Sequence, residues 1–248
     1  MRLSTGSGEF RETKWKTMAS GTEETYVVAS SMDWGRRVFD ALPADLRERT
    51  ELIGGRDDLS LENLRRINPK FVFLPHWSYK IPSEVFSEFD CVIFHMTDLP
   101  YGRGGSPLQN LIIRGHTETR VSALRCVEQM DAGPIYLKAP LSLAGSATEI
   151  FDRLTPIVAG MIAEIVATDP EPVPQIGEPT EFVRRKPADG TLRNAPSIQV
   201  AYDMIRMLDA DGYPDAFLET DTLRFEFSNA EMKDGSLEAR VVVKPRPD

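Results

Sequence analysis

Two of the three histidines in this sequence stand directly after short apolar runs, where a reaction site could be built. His76 follows the run over residues 71–74, and His95 follows the run over residues 91–94. Ligands of open α/β sheets bind at the carboxyl ends of the strands, so both side chains are candidates for proton-transfer chemistry near neutral pH. The alternative for each is a structural histidine that binds a backbone carbonyl at the end of a strand.

A glycine-rich stretch follows His95 and could bring backbone N–H groups to the same place. The glycines within residues 102–105 permit positive φ and a close approach of the backbone to a ligand. Ser106 and Pro107 predict the capped start of a helix, whose N–H groups can face an anion or a developing oxyanion. A tight surface turn is the other interpretation. The sequence has no Walker loop and no G-x-G-x-x-G after its first predicted strand, so nicotinamide and flavin cofactors are not indicated.

Short apolar runs that alternate with helical periodicity must position these groups. The alternation predicts an α/β fold with a Rossmann-like, mostly parallel sheet. A strand-like stretch follows over residues 119–130, and a capping box over residues 146–149 opens the longest helix. Towards the carboxyl end, two alternating runs joined through Asp234 and Gly235 predict a hairpin. The strand candidates that precede the glycine-rich stretch lie at residues 26–31, 52–53, 71–74 and 91–94.

Changes in composition divide the chain into four parts. The first part is polar, and a stretch with four prolines reads as a stiff linker ahead of a small, mostly β region. The expected parts are a flexible N-terminal tail over residues 1–24, a Rossmann-like domain over 25–168, a proline-rich linker over 169–181, and a small C-terminal α+β domain over 182–248.

Charge and cysteine content exclude several classes of protein. The chain has 248 residues with 29 Lys and Arg against 38 Asp and Glu, a net charge of -9, which disfavours a nucleic-acid partner. Its apolar runs are too short to span a membrane. Cys91 and Cys126 both lie in apolar runs, which is typical of buried, reduced thiols in a cytoplasmic protein, and their spacing builds no zinc site. We therefore expect neither a membrane nor a metal partner.

Three sequence blocks carry a resemblance to a known family. They are Leu99-Pro-Tyr-Gly-Arg-Gly-Gly-Ser-Pro107, Gly115-His-Thr-Glu-Thr119 and Met130-Asp-Ala-Gly-Pro-Ile135. In order and spacing they resemble the formyltransferases that use 10-formyltetrahydrofolate, a family that includes methionyl-tRNA, glycinamide ribonucleotide and nucleotide-sugar formyltransferases. Residues 182–190 resemble the segment that opens the family's C-terminal domain. The resemblance implies an enzyme that transfers a formyl group from 10-formyltetrahydrofolate to an amine.

The family's catalytic set is an asparagine, a histidine and an aspartate. By resemblance His95 and Asp131 match the last two, and such a pair can take up the proton that an attacking amine must lose. Ile93 stands in the place of the asparagine and has no donor for an oxyanion. We expect Asn110 to supply the missing donor as the third catalytic residue. The alternatives are Gln109, the hydroxyl of Thr97 and the backbone N–H groups of residues 102–106.

The resemblance also implies where the two substrates bind. Trp77 and Tyr79 could stack on the aromatic donor, although packing beneath a loop is the other possibility. The residues expected to bind the donor are Pro75, His76, Trp77, Tyr79, Ile81, Gln129, Met130 and Gly133. The residues expected to bind the acceptor are Ser30, Met32, Trp34, Asp98, Tyr101, Arg103, Gly104 and Gly105.

Two of these acceptor residues have competing interpretations. Arg103 either binds a phosphate or carboxylate of the acceptor or braces its own loop through carbonyl groups. Asp98 stands where the family has an apolar residue, and a second carboxylate there could raise the pKa of His95.

The acceptor is narrowed by the charge of the C-terminal part. Residues 176–248 contain 10 Lys and Arg against 14 Asp and Glu, which disfavours a tRNA substrate. We expect a small-molecule amine, first a nucleotide-linked amino sugar and second a hydroxyornithine or antibiotic amine. Because of Ile93, a non-catalytic protein that binds folate or a nucleotide sugar stays an alternative. A homodimer through the C-terminal domain is expected, since a small β unit with an open edge often pairs.

Overall fold

The computed structural model describes residues 24–247 of the chain. The predicted tail therefore lies, apart from Glu24, outside the described residues. The helices are α1 (Asp33–Asp40), α2 (Ala44–Glu48), α3 (Leu61–Ile67), α4 (Ser83–Glu88), α5 (Pro107–Ile113), α6 (Ala147–Thr168) and α7 (Ile198–Arg206). The strands are β1 (Tyr26–Ala29), β2 (Thr50–Ile53), β3 (Phe71–Leu74), β4 (Asp90–His95), β5 (Arg103–Gly104), β6 (Glu118–Arg125), β7 (Ile135–Ser142), β8 (Glu181–Phe182), β9 (Ala216–Glu219), β10 (Leu223–Lys233) and β11 (Ser236–Pro245).

A six-stranded sheet in the order β2-β1-β3-β4-β6-β7 forms the centre of the fold. The pairs among its first four strands are parallel, whereas β6 runs antiparallel to both β4 and β7. Every residue of β1 and β3 is buried, which is what coverage of both sheet faces by helices requires. The prediction of a Rossmann-like, mostly parallel sheet is confirmed.

The local signals in the sequence set several helix ends. The Ser146 hydroxyl accepts from the N–H of Glu149 while the Glu149 carboxylate accepts from the N–H of Ser146, so the predicted capping box is present. At α5 the predicted serine cap is wrong. Ser106 has φ of 52° and its hydroxyl accepts from the backbone N–H of Arg185 instead. That contact attaches the chain after the proline-rich stretch to the start of α5.

The proline-rich residues 169–181 lie against the loops of the central sheet. Val173 exchanges two backbone hydrogen bonds with Ile135, and the N–H of Arg103 donates to the carbonyl of Thr180. The short strands β5 and β8 then pair in parallel. A segment with the composition of a spacer is therefore anchored to the rest of the chain at Val173 and Thr180.

The C-terminal part contains α7 and a three-stranded antiparallel sheet in the order β11-β10-β9, which confirms the predicted small β region. Asp234 and Gly235 both have positive φ, as a two-residue hairpin turn requires. The strand predicted over residues 119–130 is too long, because β6 ends at Arg125 and the chain then turns towards β7. No helix within residues 24–247 is long and apolar enough to cross a membrane.

Candidate active site

A cavity of about 710 Å³ opens at the carboxyl ends of β3 and β4, where the strand-end histidines were expected. Its wall is formed by the residues after β3, the end of β4, the glycine-rich loop, the turn after β6, and one face of α6. Two residues of the C-terminal part, Arg184 and Tyr213, complete it.

His95 is the last residue of β4, and its ring is buried at the cavity wall. Its Nε2 lies 2.8 Å from the carbonyl oxygen of Gly102. Since a carbonyl can only accept, Nε2 carries the hydrogen in this contact. The second ring nitrogen, Nδ1, lies 3.6 Å from Oδ2 of Asp131. Nδ1 of His95 and the Asp131 carboxylate therefore face each other beside the cavity.

Asp131 is held from both sides. Its Oδ2 accepts a hydrogen bond of 2.9 Å from the N–H of Gly104. The side chains of Asp131 and His95 are 10% and 8% exposed, so their interaction is screened little by water. Asp131 also has φ of 52°, a conformation that is uncommon outside glycine and that clusters at functional sites.

The glycines of the loop are required by the approach of β8. Gly102 has φ of 76°, and a Cβ there would lie 2.7 Å from a ring carbon of Phe182. Gly104 has φ of 104°, and its Cβ would lie 2.5 Å from the carbonyl oxygen of Phe182. A side chain at either position would move the carbonyl that orients His95 or the N–H that binds Asp131.

One side of the cavity is an aromatic wall made of Trp34, His76, Phe151 and Tyr213. Trp34 stacks on Phe151 with 5.5 Å between ring centroids, and Phe151 stacks on Tyr213 at 5.8 Å. His76 meets Trp34 edge-on at 4.4 Å. Burial lowers the pKa of His76 to about 4, so its ring is neutral at physiological pH. His76 belongs to this wall as an uncharged ring.

A second group of side chains surrounds another part of the cavity. Trp77 meets Tyr79 edge-on at 5.5 Å, and Ile81 and Phe86 add apolar surface. The indole nitrogen of Trp77 is buried with no hydrogen-bond partner among the described residues. The arrangement offers an apolar and aromatic surface to a flat ligand.

Most of the residues predicted from the sequence line this cavity. They are His95, Asp131, His76, Trp77, Tyr79, Ile81, Met130, Gly133, Trp34, Gly104 and Gly105. Within residues 24–247, the predicted residues that the structure places outside the wall are Asn110, Pro75, Gln129, Ser30, Met32, Asp98, Tyr101 and Arg103.

Asn110 does not fit the catalytic role expected for it. Its amide nitrogen donates to the carbonyls of Gly105, Ser106 and Val183, and its Oδ1 accepts from Arg114. These bonds use both amide hydrogens, so Asn110 fastens the loop to the C-terminal segment. Gln109 reaches the cavity but donates to the carbonyl of Met207.

The expected acceptor residues outside the wall have structural partners. Asp98 is exposed and pairs with Lys138, and Tyr101 donates to or accepts from His116 while its ring packs on Phe182. The guanidinium of Arg103 donates twice to Gln175, so the structure supports the bracing interpretation.

The remaining misplaced residues pack near the chain's turns. Ser30 is buried over Gly35, where a Cβ would lie within 1.8 Å of its hydroxyl oxygen. Pro75 is buried beside the same glycine, and Met32 packs towards Gly212. Gln129 is exposed on the turn after β6.

Among the residues that sequence reasoning missed are Phe151, Arg184 and Tyr213 in the wall and Gln175 behind it. Phe151 is one of the apolar residues of α6, and helical periodicity does not distinguish core from cavity lining. Arg184 lies in the block at residues 182–190, which signalled the family but no role. Tyr213 and Gln175 carried no local signal.

The two cysteines are buried and free. Burial raises the pKa of the Cys91 thiol above its usual range and that of Cys126 to about 11. Both thiols are therefore protonated and poor nucleophiles. Within residues 24–247, no group of His, Cys, Asp or Glu side chains gathers in a way that could hold a metal ion.

Comparisons with known proteins agree with the fold and with the family resemblance. Residues 187–244 match the family model described as the methionyl-tRNA formyltransferase C-terminal domain. The chain is 24% identical to the methionyl-tRNA formyltransferase of Thermodesulfovibrio yellowstonii over 97% of its own length and 83% of that protein. A sugar N-formyltransferase from Shewanella shares the fold, with a TM-score of 0.59 and 15% identity over 88% of this chain and 96% of that one.

The structure of methionyl-tRNA formyltransferase from Clostridium thermocellum is considerably more similar. It superposes with a TM-score of 0.87 at 41% identity, covering 90% of this chain and 100% of that chain. Identity of this size over a whole relative, together with the His95–Asp131 pair at the cavity, means that the chain belongs to the formyltransferase family, whose formyl donor is 10-formyltetrahydrofolate.

Proposed function

We propose that this protein transfers the formyl group of 10-formyltetrahydrofolate to the amine of a small acceptor, with a nucleotide-linked amino sugar as the first candidate. The observation that carries the proposal is the buried His95–Asp131 pair at the wall of a cavity of about 710 Å³. Ligand cavities commonly measure about 300–1,000 Å³.

The donor fits the part of the cavity around Trp77. Tyr79, Ile81 and Phe86 provide apolar and aromatic surface there, beside the ring of Trp77. When bound, 10-formyltetrahydrofolate supplies the formyl carbon that the amine attacks. Met130 and Gly133, from the turn after β6, close the cavity beside Asp131.

His95 and Asp131 manage the proton of the acceptor amine. Because Nε2 of His95 donates its hydrogen to the Gly102 carbonyl, the ring nitrogen that can accept a proton is Nδ1, opposite the Asp131 carboxylate. The neutral ring accepts a proton at Nδ1, and the carboxylate stabilises the charged ring that results. As the bond between the formyl carbon and N10 of the donor breaks, the charged ring returns this proton to N10, so tetrahydrofolate leaves as the neutral amine.

The acceptor fits the aromatic wall and Arg184. A sugar or base can lie against Trp34, Phe151 and Tyr213, whose rings present a flat apolar surface. Arg184 is exposed at the same cavity and provides a cation for a phosphate group. The excess of acidic residues over residues 176–248 disfavours a polyanionic tRNA partner.

Methionyl-tRNA is the second candidate acceptor. It is favoured by the names of two methionyl-tRNA formyltransferases that this chain resembles and by the family model that matches residues 187–244. A tRNA would have to approach the cavity past Arg184, since the rest of the C-terminal part carries net negative charge.

The test is a transfer assay with both acceptor classes. The purified protein is incubated with 10-formyltetrahydrofolate and either a panel of nucleotide-linked amino sugars or charged initiator tRNA, and tetrahydrofolate release and product mass are followed. A gain of one formyl group on a sugar supports the first candidate, and formyl-methionine on the tRNA alone supports the second. Donor binding with no transfer to either class would contradict both.

A further inference from the structure

A glutamine from the proline-rich segment joins three parts of the candidate site. The amide nitrogen of Gln175 donates to the backbone carbonyls of Asp131 and Gly133, at 2.8 Å each. Its Oε1 accepts from Nε of Arg103 at 3.1 Å and from Nη2 at 2.7 Å. Both amide hydrogens and the amide oxygen of Gln175 are therefore used by the site.

These bonds connect the glycine-rich loop to the turn that carries the Asp131 carboxylate. Arg103 is followed in the chain by Gly104, whose N–H donates to the Asp131 carboxylate. Gln175 joins the side chain of Arg103 to the main chain of Asp131. The carboxylate and the main chain of Asp131 are consequently fixed by two neighbouring residues of one loop, and the second contact passes through Gln175.

The turn that carries Asp131 needs such support. Its φ of 52° is unfavourable for an aspartate, and conformations of this kind persist only where surrounding contacts hold them. Gly133 is equally constrained, because a Cβ there would lie 1.8 Å from the carbonyl oxygen of Arg125. Hydrogen bonds from one amide to the carbonyls on either side of the turn oppose its relaxation.

Anchoring the proline-rich segment does not require Gln175. Val173 exchanges two backbone bonds with Ile135, Thr180 bonds to Pro100 and Arg103, and the carbonyl of Phe182 accepts from Gly105. These main-chain contacts stay in place whatever the side chain at residue 175.

We propose that Gln175 is a positioning residue, which holds the Asp131 carboxylate at its place opposite Nδ1 of His95. The kinetic part of this inference rests on the proposed formyl transfer. Displacing a catalytic group by about 1 Å can cost about 10²-fold in rate, so loss of the Gln175 amide should lower kcat by up to this factor.

Two variants distinguish the hydrogen bonds that the Gln175 amide donates from those that it accepts from Arg103. Gln175→Ala removes every contact of the side chain, whereas Gln175→Glu keeps an oxygen for Arg103 but has no hydrogen to donate to the carbonyls of Asp131 and Gly133. Gln199→Ala is the matched control. Gln199 lies on α7, and within the described residues its side chain bonds only to Asp203.

The first measurement needs no substrate. The chain has three histidines, so the ring nitrogens of His76, His95 and His116 can be resolved by NMR of histidine-labelled protein and assigned by single substitution. We expect both Gln175 variants to shift the His95 signals and to leave those of His76 and His116 in place. Gln199→Ala should shift none of them.

Kinetics provide the second measurement. Both variants should lose kcat by about 10- to 100-fold with the donor KM within about twofold, and Gln175→Glu should be no better than Gln175→Ala. Wild-type kcat and His95 signals in Gln175→Glu would show that only the Arg103 contact matters and would overturn the proposal. Unchanged His95 signals in Gln175→Ala would do the same. If the wild-type protein transfers no formyl group but the His95 signals shift, the proposed function fails while the positioning role stands.

Discussion

The two sheets of this protein differ in how fully the rest of the chain covers them. In the six-stranded sheet, β1 and β3 are buried throughout, and the polar groups that matter lie just beyond the strand ends. In the three-stranded sheet, β10 and β11 are mostly half-buried or exposed, and apolar side chains such as Val241 and Val243 face solvent. The first sheet thus positions the candidate active site, and the second presents an exposed apolar surface.

The difference follows from strand direction. Parallel strands place all their carboxyl ends at one edge, where β3 and β4 deliver His76 and His95 to one cavity. An antiparallel hairpin has no common carboxyl edge, so its strands contribute no catalytic cluster of this kind. The C-terminal part reaches the cavity through loop residues instead, namely Arg184 and Tyr213. We therefore expect changes near the first sheet to affect chemistry, and changes in the C-terminal part to affect binding or assembly.

The largest effect is expected from removing the ring of His95. In His95→Ala the proton acceptor is lost, and kcat should fall by about 10²–10⁴-fold, with donor binding retained. Transfer rates and a donor titration provide the measurement. His116→Ala is the control, since His116 bonds to Tyr101 outside the cavity wall. Near wild-type turnover in His95→Ala would break the assignment of chemistry to the first sheet.

A somewhat smaller loss is expected for Asp131→Asn. The amide oxygen can still accept from the N–H of Gly104, so the turn is retained, but the charged form of His95 loses its stabilising carboxylate. We expect kcat to fall by about 10²-fold or more with the donor KM nearly unchanged. If Asp131→Asn lowered the affinity for the donor but not kcat, Asp131 would bind the donor rather than take part in proton transfer.

Arg184→Ala tests what the C-terminal part contributes. If Arg184 binds an anionic group of the acceptor, its loss should raise the acceptor KM about tenfold, as expected for one charge-assisted hydrogen bond. The donor KM should not change. Arg185→Ala is the matched control, because that guanidinium bonds to the carbonyl of Asp189. Equal effects of the two substitutions would contradict a specific role for Arg184.

His76 contacts both regions through the aromatic wall, and we expect its substitution to change the stability of the fold rather than the rate of transfer. Its pKa is about 4 in the folded protein against an ordinary value of 6.5, so the unfolded chain binds the proton first as pH falls. Stability is therefore fully present above pH 6.5 and declines towards pH 4, by up to about 3 kcal/mol. His76→Asn, which tolerates positive φ, should unfold with less pH dependence over this range in urea titrations. An unaltered slope would mean that another group titrates there.

The smallest effect on activity is expected at the C-terminal surface. Within the described residues, β11 has a strand partner on one side only, and Val241 and Val243 are 45% and 53% exposed. A second copy of the chain could pair at this edge and cover them. Val243→Lys should convert a dimer into a monomer by sedimentation at micromolar concentration, with kcat within about twofold. A wild-type protein that sediments as a monomer would contradict the expected homodimer.

Much of the fold could be predicted because its signals are local. The capping box at Ser146 and the Asp234-Gly235 turn each depend on a few neighbouring residues. Most of the predicted site residues also line the cavity, because the resemblance carries positions along the chain. The structural roles of Asn110 and Arg103 could not be predicted in this way, since each side chain also bonds to a residue beyond 170.

The sequence by itself determined the fold class, the strand-end histidines and the family, because apolar periodicity, turn residues and motif blocks are properties of short segments. Only the tertiary structure decided what those side chains touch. Residues far apart in the chain meet in the His95–Asp131 pair, in the aromatic wall around His76 and at the contacts of Gln175. Hydrogen-bond partners and burial depend on through-space packing, which local sequence patterns do not encode.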